Sequence, residues 1–192
     1  DGDEGEDITE NVLKMKNVSK TIGKFTGILR GEMIIDLKTF DKYFKPAGYK
    51  NARNAASGVS REKDGKLTSH ISIIYFDVLG HGWSDEEFGY GSTEVSKQRF
   101  VAGEGLEYVK VYGPLYDVDD IWQKFEDRIF LRNHTNSLDY EIDGMIAKIN
   151  NLDIQDDLGE HNGRPYGQMA IKPEAQAKET TVEDIQWQVG NN

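Results

Sequence analysis

Tyr140-Glu141-Ile142-Asp143-Gly144-Met145-Ile146-Ala147-Lys148-Ile149-Asn150 reads as a β-strand that carries an acid and a lysine five positions apart, with a glycine beside the acid. Strand side chains alternate between faces, so residues an odd number apart point oppositely in a regular ladder. A bulge or kink at Gly144 is therefore expected, turning Asp143 and Lys148 into one pocket; isolated strand glycines often serve this way. A regular ladder through Gly144 would leave the two side chains on opposite faces.

Working outward, Ile121, Trp122, Phe125 and Ile129 lay an apolar stripe on a helix capped by Asp117 or Asp119, and residues 107–112 read as a strand before it. Residues 71–79 are nearly all apolar or β-branched, as in a central strand buried on both faces. Residues 26–35 read as another strand. Leu37, Phe40, Tyr43 and Phe44 then mark a helix that Asp36 caps and that Pro46 and Gly48 end. Ile8, Val12 and Met15 give a short amphipathic helix over 7–16, with Asp7 as cap. Residues 80–105 hold six glycines among charged residues and read as long loops with at most one short helix, and 153–167 as a second loop-rich segment. A strand over 180–189 closes the chain. No internal repeat is visible, and the mixture indicates an α+β domain.

Composition sets the outer limits. The chain has 192 residues, 37% of them hydrophobic and 10% aromatic, enough for one domain with a real core. No run of about eighteen apolar residues is present, and the N-terminus lacks a basic segment followed by an apolar one, so neither a membrane span nor a secretion signal is expected. With no cysteine, disulfides, thiolate zinc sites and thiol nucleophiles are excluded, which fits a reducing, cytoplasmic setting. A formal charge of −11 argues against wholesale wrapping of DNA, which needs clustered Lys and Arg along the phosphate track. The chain starts on Asp1 rather than Met, so upstream sequence is expected.

Some familiar chemistries lack support. Glycine pairs at Gly80/Gly82, Gly89/Gly91 and Gly103/Gly105 miss the third glycine and the strand-to-helix setting of a dinucleotide loop. His70, His81, His134 and His161 lack zinc-ligand spacing.

Four other segments gain force from their order. They are Gly5-Glu6-Asp7-Ile8-Thr9-Glu10-Asn11-Val12; Arg30-Gly31-Glu32; Asn51-Ala52-Arg53-Asn54-Ala55-Ala56-Ser57-Gly58 followed by Arg61; and the stretch from Tyr140 to Asn150. Together with Leu158-Gly159, Met169-Ala170-Ile171-Lys172-Pro173 and Gln186-Trp187-Gln188-Val189-Gly190, this series resembles the adenylation domain of the NAD-dependent DNA ligases over nearly the whole chain, apart from the glycine-rich middle. ATP-dependent ligases and capping enzymes share the Arg-Gly-Glu and Asp-Gly elements but not the first and third stretches.

The resemblance implies a nucleotidyltransferase fold, related to ATP-grasp, with antiparallel sheets flanked by helices. Residues 1–192 would be its C-terminal portion, and an OB-fold would follow after about residue 190. Nick sealing in duplex DNA would use NAD as AMP donor and magnesium, through enzyme-AMP and DNA-adenylate intermediates. Such a protein would work in a bacterial cytoplasm or, for a phage or virus, in that of the host.

By the same resemblance, Glu32 would hold the ribose. Asp143, Lys148 and Lys172 would be catalytic, with both lysines also binding the nucleotide and neutralising phosphate charge during transfer. Tyr75 would stack on the adenine, although core packing explains an aromatic in a buried strand equally well. Arg53 and Arg61 would grip DNA phosphates, against the plain alternative of surface solubility. Glu32 and Asp143 are also the candidates to hold magnesium through water.

The family's nucleophilic lysine lies in a Lys-x-Asp-Gly motif, which these 192 residues lack. Lys63-Asp64-Gly65 has no intervening residue and reads as a hairpin turn. Thr135 stands where the family tends to carry an arginine, and Pro173 follows Lys172 without the usual aromatic. The chain is thus expected to need an upstream segment or a complementary polypeptide bearing the lysine. The alternative is a non-catalytic subunit of a split ligase that binds nucleotide or nicked DNA.

Overall fold

β1 (Thr26–Ile34) and β2 (Ser72–His81) form an antiparallel pair in the computed structural model, which describes residues 5–23, 25–81, 91–134, 139–173, 181 and 184. Their register runs from Thr26 opposite His81 to Ile34 opposite Ser72 and slips once: Arg30 faces Asp77, Gly31 faces Tyr75, and Phe76 is the extra residue. That bulge shifts the alternation of β2 by one step. Tyr75 and Val78, three apart, thereby join the same buried cluster as Phe100, Val101 and Leu106. A Cβ at Gly31 would collide with the Ile73 side chain, so the glycine permits the close pairing beside the bulge.

The expected strand over 107–112 reduces, among the described residues, to one parallel bridge between Tyr108 and Tyr75. Tyr75 N donates to the Glu107 carbonyl at 2.8 Å and Val109 N to the Tyr75 carbonyl at 2.7 Å. This places β2 between β1 and a short extended edge.

Local chemistry explains the flanking helices. Asp36 caps α2 (Leu37–Thr39) by accepting from Thr39 N at 2.8 Å, and the helix widens into a π-helical turn over Phe40–Phe44. α3 (Ala52–Val59) starts at Asn51, whose side chain accepts from Asn54 N at 2.8 Å. Its Ala52, Ala55, Ala56 and Val59 form one buried face against Ile35, Phe44, Ile71 and Met15. The N-terminal helix is shorter than expected: α1 spans Thr9–Val12, with Asp7 accepting from Thr9 N at 2.9 Å just before it. Lys63 and Asp64 form a bend, and Gly65, at φ +54°, opens the turn that follows; together they link α3 to a 3-10 turn at Thr68–His70 rather than forming a hairpin.

α4 (Glu94–Gly103) occupies part of the stretch read as loops. Its buried face consists of Glu94, Ser96, Lys97, Phe100 and Val101, so polar residues stand where an apolar period would betray a helix. α5 (Val118–His134) lies where the Ile121 stripe placed it, and Asp117 accepts from Asp119 N at 2.6 Å at its start.

β3 (Met145–Lys148) pairs antiparallel with β6 (Gln168–Ile171), Lys148 facing Gln168 and Met145 facing Ile171. Between them, the segment read as loop-rich contains α6 (Leu152–Leu158) and a small hairpin of β4 (Glu160–His161) and β5 (Arg164–Pro165). The strand expected over 180–189 falls almost wholly outside the described residues, as does the Gln186 to Gly190 match. Small antiparallel sheets with flanking helices agree with the α+β reading. Among the described residues no helix is long and apolar enough to cross a membrane.

Candidate active site

A cleft of about 1170 Å³ opens between the ends of β1 and β2, the extended segment 108–115, α5 and the β3–β6 pair. Small-molecule sites commonly measure roughly 300–1,000 Å³, so a mononucleotide fits with room for part of a second group. Glu32, Asp143, Lys148 and Lys172 all line it. They come from three strand regions and lie up to 140 positions apart in the chain, 172 − 32.

Asp143 and Lys148 reach the same cleft by a different device from the expected bulge. β3 begins only after Gly144, so no ladder runs through that residue. A Cβ on Gly144 would stand 2.5 Å from the Ile171 carbonyl oxygen and 3.1 Å from Lys172 Cγ. The glycine therefore lets the chain approach β6 closely as it enters the strand, and Asp143, still outside the ladder, escapes the alternation.

At the cleft mouth Asp143 lies between two cations, 3.6 Å from Arg53 Nη1 and 3.7 Å from Lys172 Nζ. All three side chains are about two-thirds exposed or more. Lys148 sits deeper, with its side chain 18% exposed. Its ammonium donates to Glu94 Oε2 at 3.2 Å and, more weakly, to the Phe76 carbonyl at 3.4 Å. The Tyr108 hydroxyl donates to that same carbonyl at 2.7 Å. Burial pushes the Tyr108 phenol well above its usual range, and the Glu94 and Asp77 carboxylates add to the effect, so it remains a donor.

Tyr75 requires correction as an adenine-stacking residue. Its ring is buried at 7% exposure in the core with Val78 and Phe100, and it does not line the cleft. Burial also raises its phenol pKa. Its neighbours Ile74 and Phe76 line the cleft instead. The aromatic of this strand that lines the cleft is therefore Phe76, the bulge residue, alongside Tyr108, Tyr112, Phe125, Tyr140 and Tyr166 from other elements. Two adjacent aromatics in an apolar run give no sign of which one turns outward.

Arg53, on α3, lines the cleft, whereas Arg61 does not. Arg61 pairs with Glu6 at 2.8 Å beside a separate cavity of about 320 Å³. Among the described residues no cluster of three or more acids or histidines forms a protein cage for a metal. A magnesium ion held mainly by phosphate oxygens needs only one or two carboxylates, and the acids lining the cleft are Glu32, Glu94, Glu141 and Asp143.

Comparison with known proteins bears on this geometry. A family model described as the NAD-dependent DNA ligase adenylation domain matches residues 1–176. Curated proteins named DNA ligase align over 97% to 99% of the chain. They include one from Haloarcula marismortui at 35% identity, one from Sorangium cellulosum at 30% and one from Mycoplasmopsis agalactiae at 28%. The chain spans only 26% to 28% of the length of these three relatives.

Proposed function

Because the chain belongs to the NAD-dependent DNA ligase adenylation-domain family, we propose that it supplies the nucleotide pocket and part of the DNA contact of a ligase that seals nicks in duplex DNA. In this reading the fold is that of the nucleotidyltransferases and residues 1–192 are the C-terminal portion of that domain. NAD donates AMP, and the reaction passes through enzyme-AMP and DNA-adenylate in the cytoplasm. The observation that carries it is the convergence of Glu32, Asp143, Lys148 and Lys172 on one cleft of nucleotide size.

Each residue has a task suited to its place. Glu32, exposed at the cleft edge, accepts ribose hydroxyls. Phe76 offers a flat apolar surface to the base without hydrogen-bond demands. Lys148 and Lys172 stabilise the phosphate as charge moves during transfer, a job that consists largely of positioning and electrostatics. Asp143 orients Lys172 and Arg53, and together with Glu32 it can hold magnesium through water. Magnesium, when bound, neutralises phosphate charge. Arg53 and Arg61 contact DNA phosphates near the nick.

The covalent step requires a lysine amine to attack the α-phosphate of NAD, expelling nicotinamide mononucleotide. The sequence contains no Lys-x-Asp-Gly motif to supply it. The chain alone is therefore expected to remain unlabelled by adenylate-radiolabelled NAD, and a fragment bearing the motif, added in trans, to restore labelling. Labelling of the chain by itself would contradict this division of labour. Failure of every complementing fragment would support the second reading, a non-catalytic subunit that binds nucleotide or nicked DNA.

A further inference from the structure

From the cleft floor, where Lys148 and Glu94 line the space, acids and lysines alternate in a buried row that runs back to Lys97 and Asp77. Lys97 donates to Asp77 Oδ1 at 2.7 Å and to Glu94 Oε1 at 3.2 Å, and Lys148 donates to Glu94 Oε2 at 3.2 Å. Side-chain exposures are 12% for Asp77, 8% for Lys97, 10% for Glu94 and 18% for Lys148. Gln155 of α6 adds a third donor to Glu94, with Nε2 at 3.0 Å from Oε1, while also reaching the Ile149 carbonyl at 2.6 Å.

The backbone fixes this arrangement. Glu94 N donates to the Asn150 carbonyl at 2.8 Å, Val95 N to Asn150 Oδ1 at 3.2 Å, and Thr93 bridges to Asn151. The first turn of α4 is thus stitched to the chain just past Lys148. A Cβ on Gly167 would lie 2.8 Å from Gln155 Cγ, so this glycine lets Gln155 close over Glu94.

We propose that Glu94 is a positioning residue for Lys148: it holds the ammonium at the cleft floor beside the Phe76 carbonyl, leaving one of its three N–H donors for a ligand phosphate. This rests on the reading of Lys148 as a phosphate contact. A lysine stem is long and flexible, and an ammonium without a fixed acceptor spreads over many rotamers. Two acceptors at the floor remove that freedom before the ligand arrives. Lys97 in turn keeps Glu94 in place by tying it to Asp77 on the bulged strand. Glutamine cannot replace Glu94, because it has one acceptor oxygen for three converging donors and would turn an NH₂ toward one of them.

The test titrates the chain with AMP and, separately, with adenosine by calorimetry, for the unaltered protein, Glu94→Gln, Glu94→Ala, Lys148→Ala and the double variant Glu94→Ala/Lys148→Ala. Both Glu94 variants are expected to lower AMP affinity about tenfold, with adenosine affinity held within about twofold because adenosine has no phosphate for Lys148 to meet. The double variant is expected to bind AMP no worse than Lys148→Ala alone, since both changes remove one contact. Equal losses for AMP and adenosine would mark Glu94 as merely structural and overturn the proposal. AMP affinity unchanged or raised in Glu94→Gln, or additive losses in the double variant, would do the same. If Lys148→Ala leaves AMP binding intact, or the unaltered chain binds no AMP, the reading of Lys148 itself fails and this inference with it. A loss at Lys148→Ala with none at Glu94 overturns only the inference.

Discussion

Two charge clusters border one cleft, and they differ chiefly in water. The row Asp77, Lys97, Glu94 and Lys148 is nearly dry, whereas Arg53, Asp143 and Lys172 stand at the mouth with roughly two-thirds of each side chain exposed. Coulomb attraction at a given distance is several times stronger in the interior than in water, but removing charges from water costs most of that gain. The dry row therefore acts as a scaffold whose members cannot be removed singly. The wet cluster contributes little to folding and keeps its cations available, since a phosphate can displace a carboxylate partner 3.6 Å or 3.7 Å away.

The largest consequence falls on Lys97. Lys97→Ala removes the cation shared by two buried carboxylates, leaving Glu94 to Lys148 and Asp77 to Arg30 at 3.8 Å, and a loss of about 3 kcal/mol is expected. Urea denaturation followed by circular dichroism measures it. A loss below about 1 kcal/mol would place the dry row in the same class as an exposed pair. Gly144→Ala comes next. Its methyl has no space beside the Ile171 carbonyl, so the β3–β6 edge must shift, costing about 1–3 kcal/mol in the same assay and displacing Asp143.

Lys148→Ala sharpens the contrast by reading binding rather than stability. AMP affinity should fall about tenfold, near 1.4 kcal/mol. The smallest stability effect belongs to the wet cluster: Arg53→Ala should change unfolding free energy by less than about 0.5 kcal/mol. It should nonetheless weaken binding to nicked duplex at low salt and reduce the logarithmic salt slope by about 0.9, one phosphate contact's worth. A stability loss at Arg53 comparable to that at Lys97 would erase the distinction between the two clusters.

What the sequence disclosed follows the same division. The apolar run ending at Leu79 declared β2 because an almost continuous hydrophobic stretch has few other uses, and Asp36 announced its helix through cap chemistry that acts over three residues. Glu32, Asp143, Lys148 and Lys172 could be picked out by resemblance, and all four line the cleft. The sequence allows one short helix in this region but does not place α4, because its buried face includes Glu94 and Lys97, whose partners lie on other elements. α6 and the β4–β5 hairpin were read as loop, since among the described residues α6 has no buried side chain to impose a period. The choice between Tyr75 and Phe76 depends on a one-residue bulge, which leaves no mark on composition or alternation.

Amide shift mapping with AMP locates the nucleotide site residue by residue. On titration with AMP, saturable shifts should centre on Glu32, Phe76, Lys148 and Lys172, the residues that line the large cleft. Shifts confined to residues 6–11 and 60–63 around the smaller cavity, or no saturable shift anywhere, would contradict the assignment of the nucleotide site.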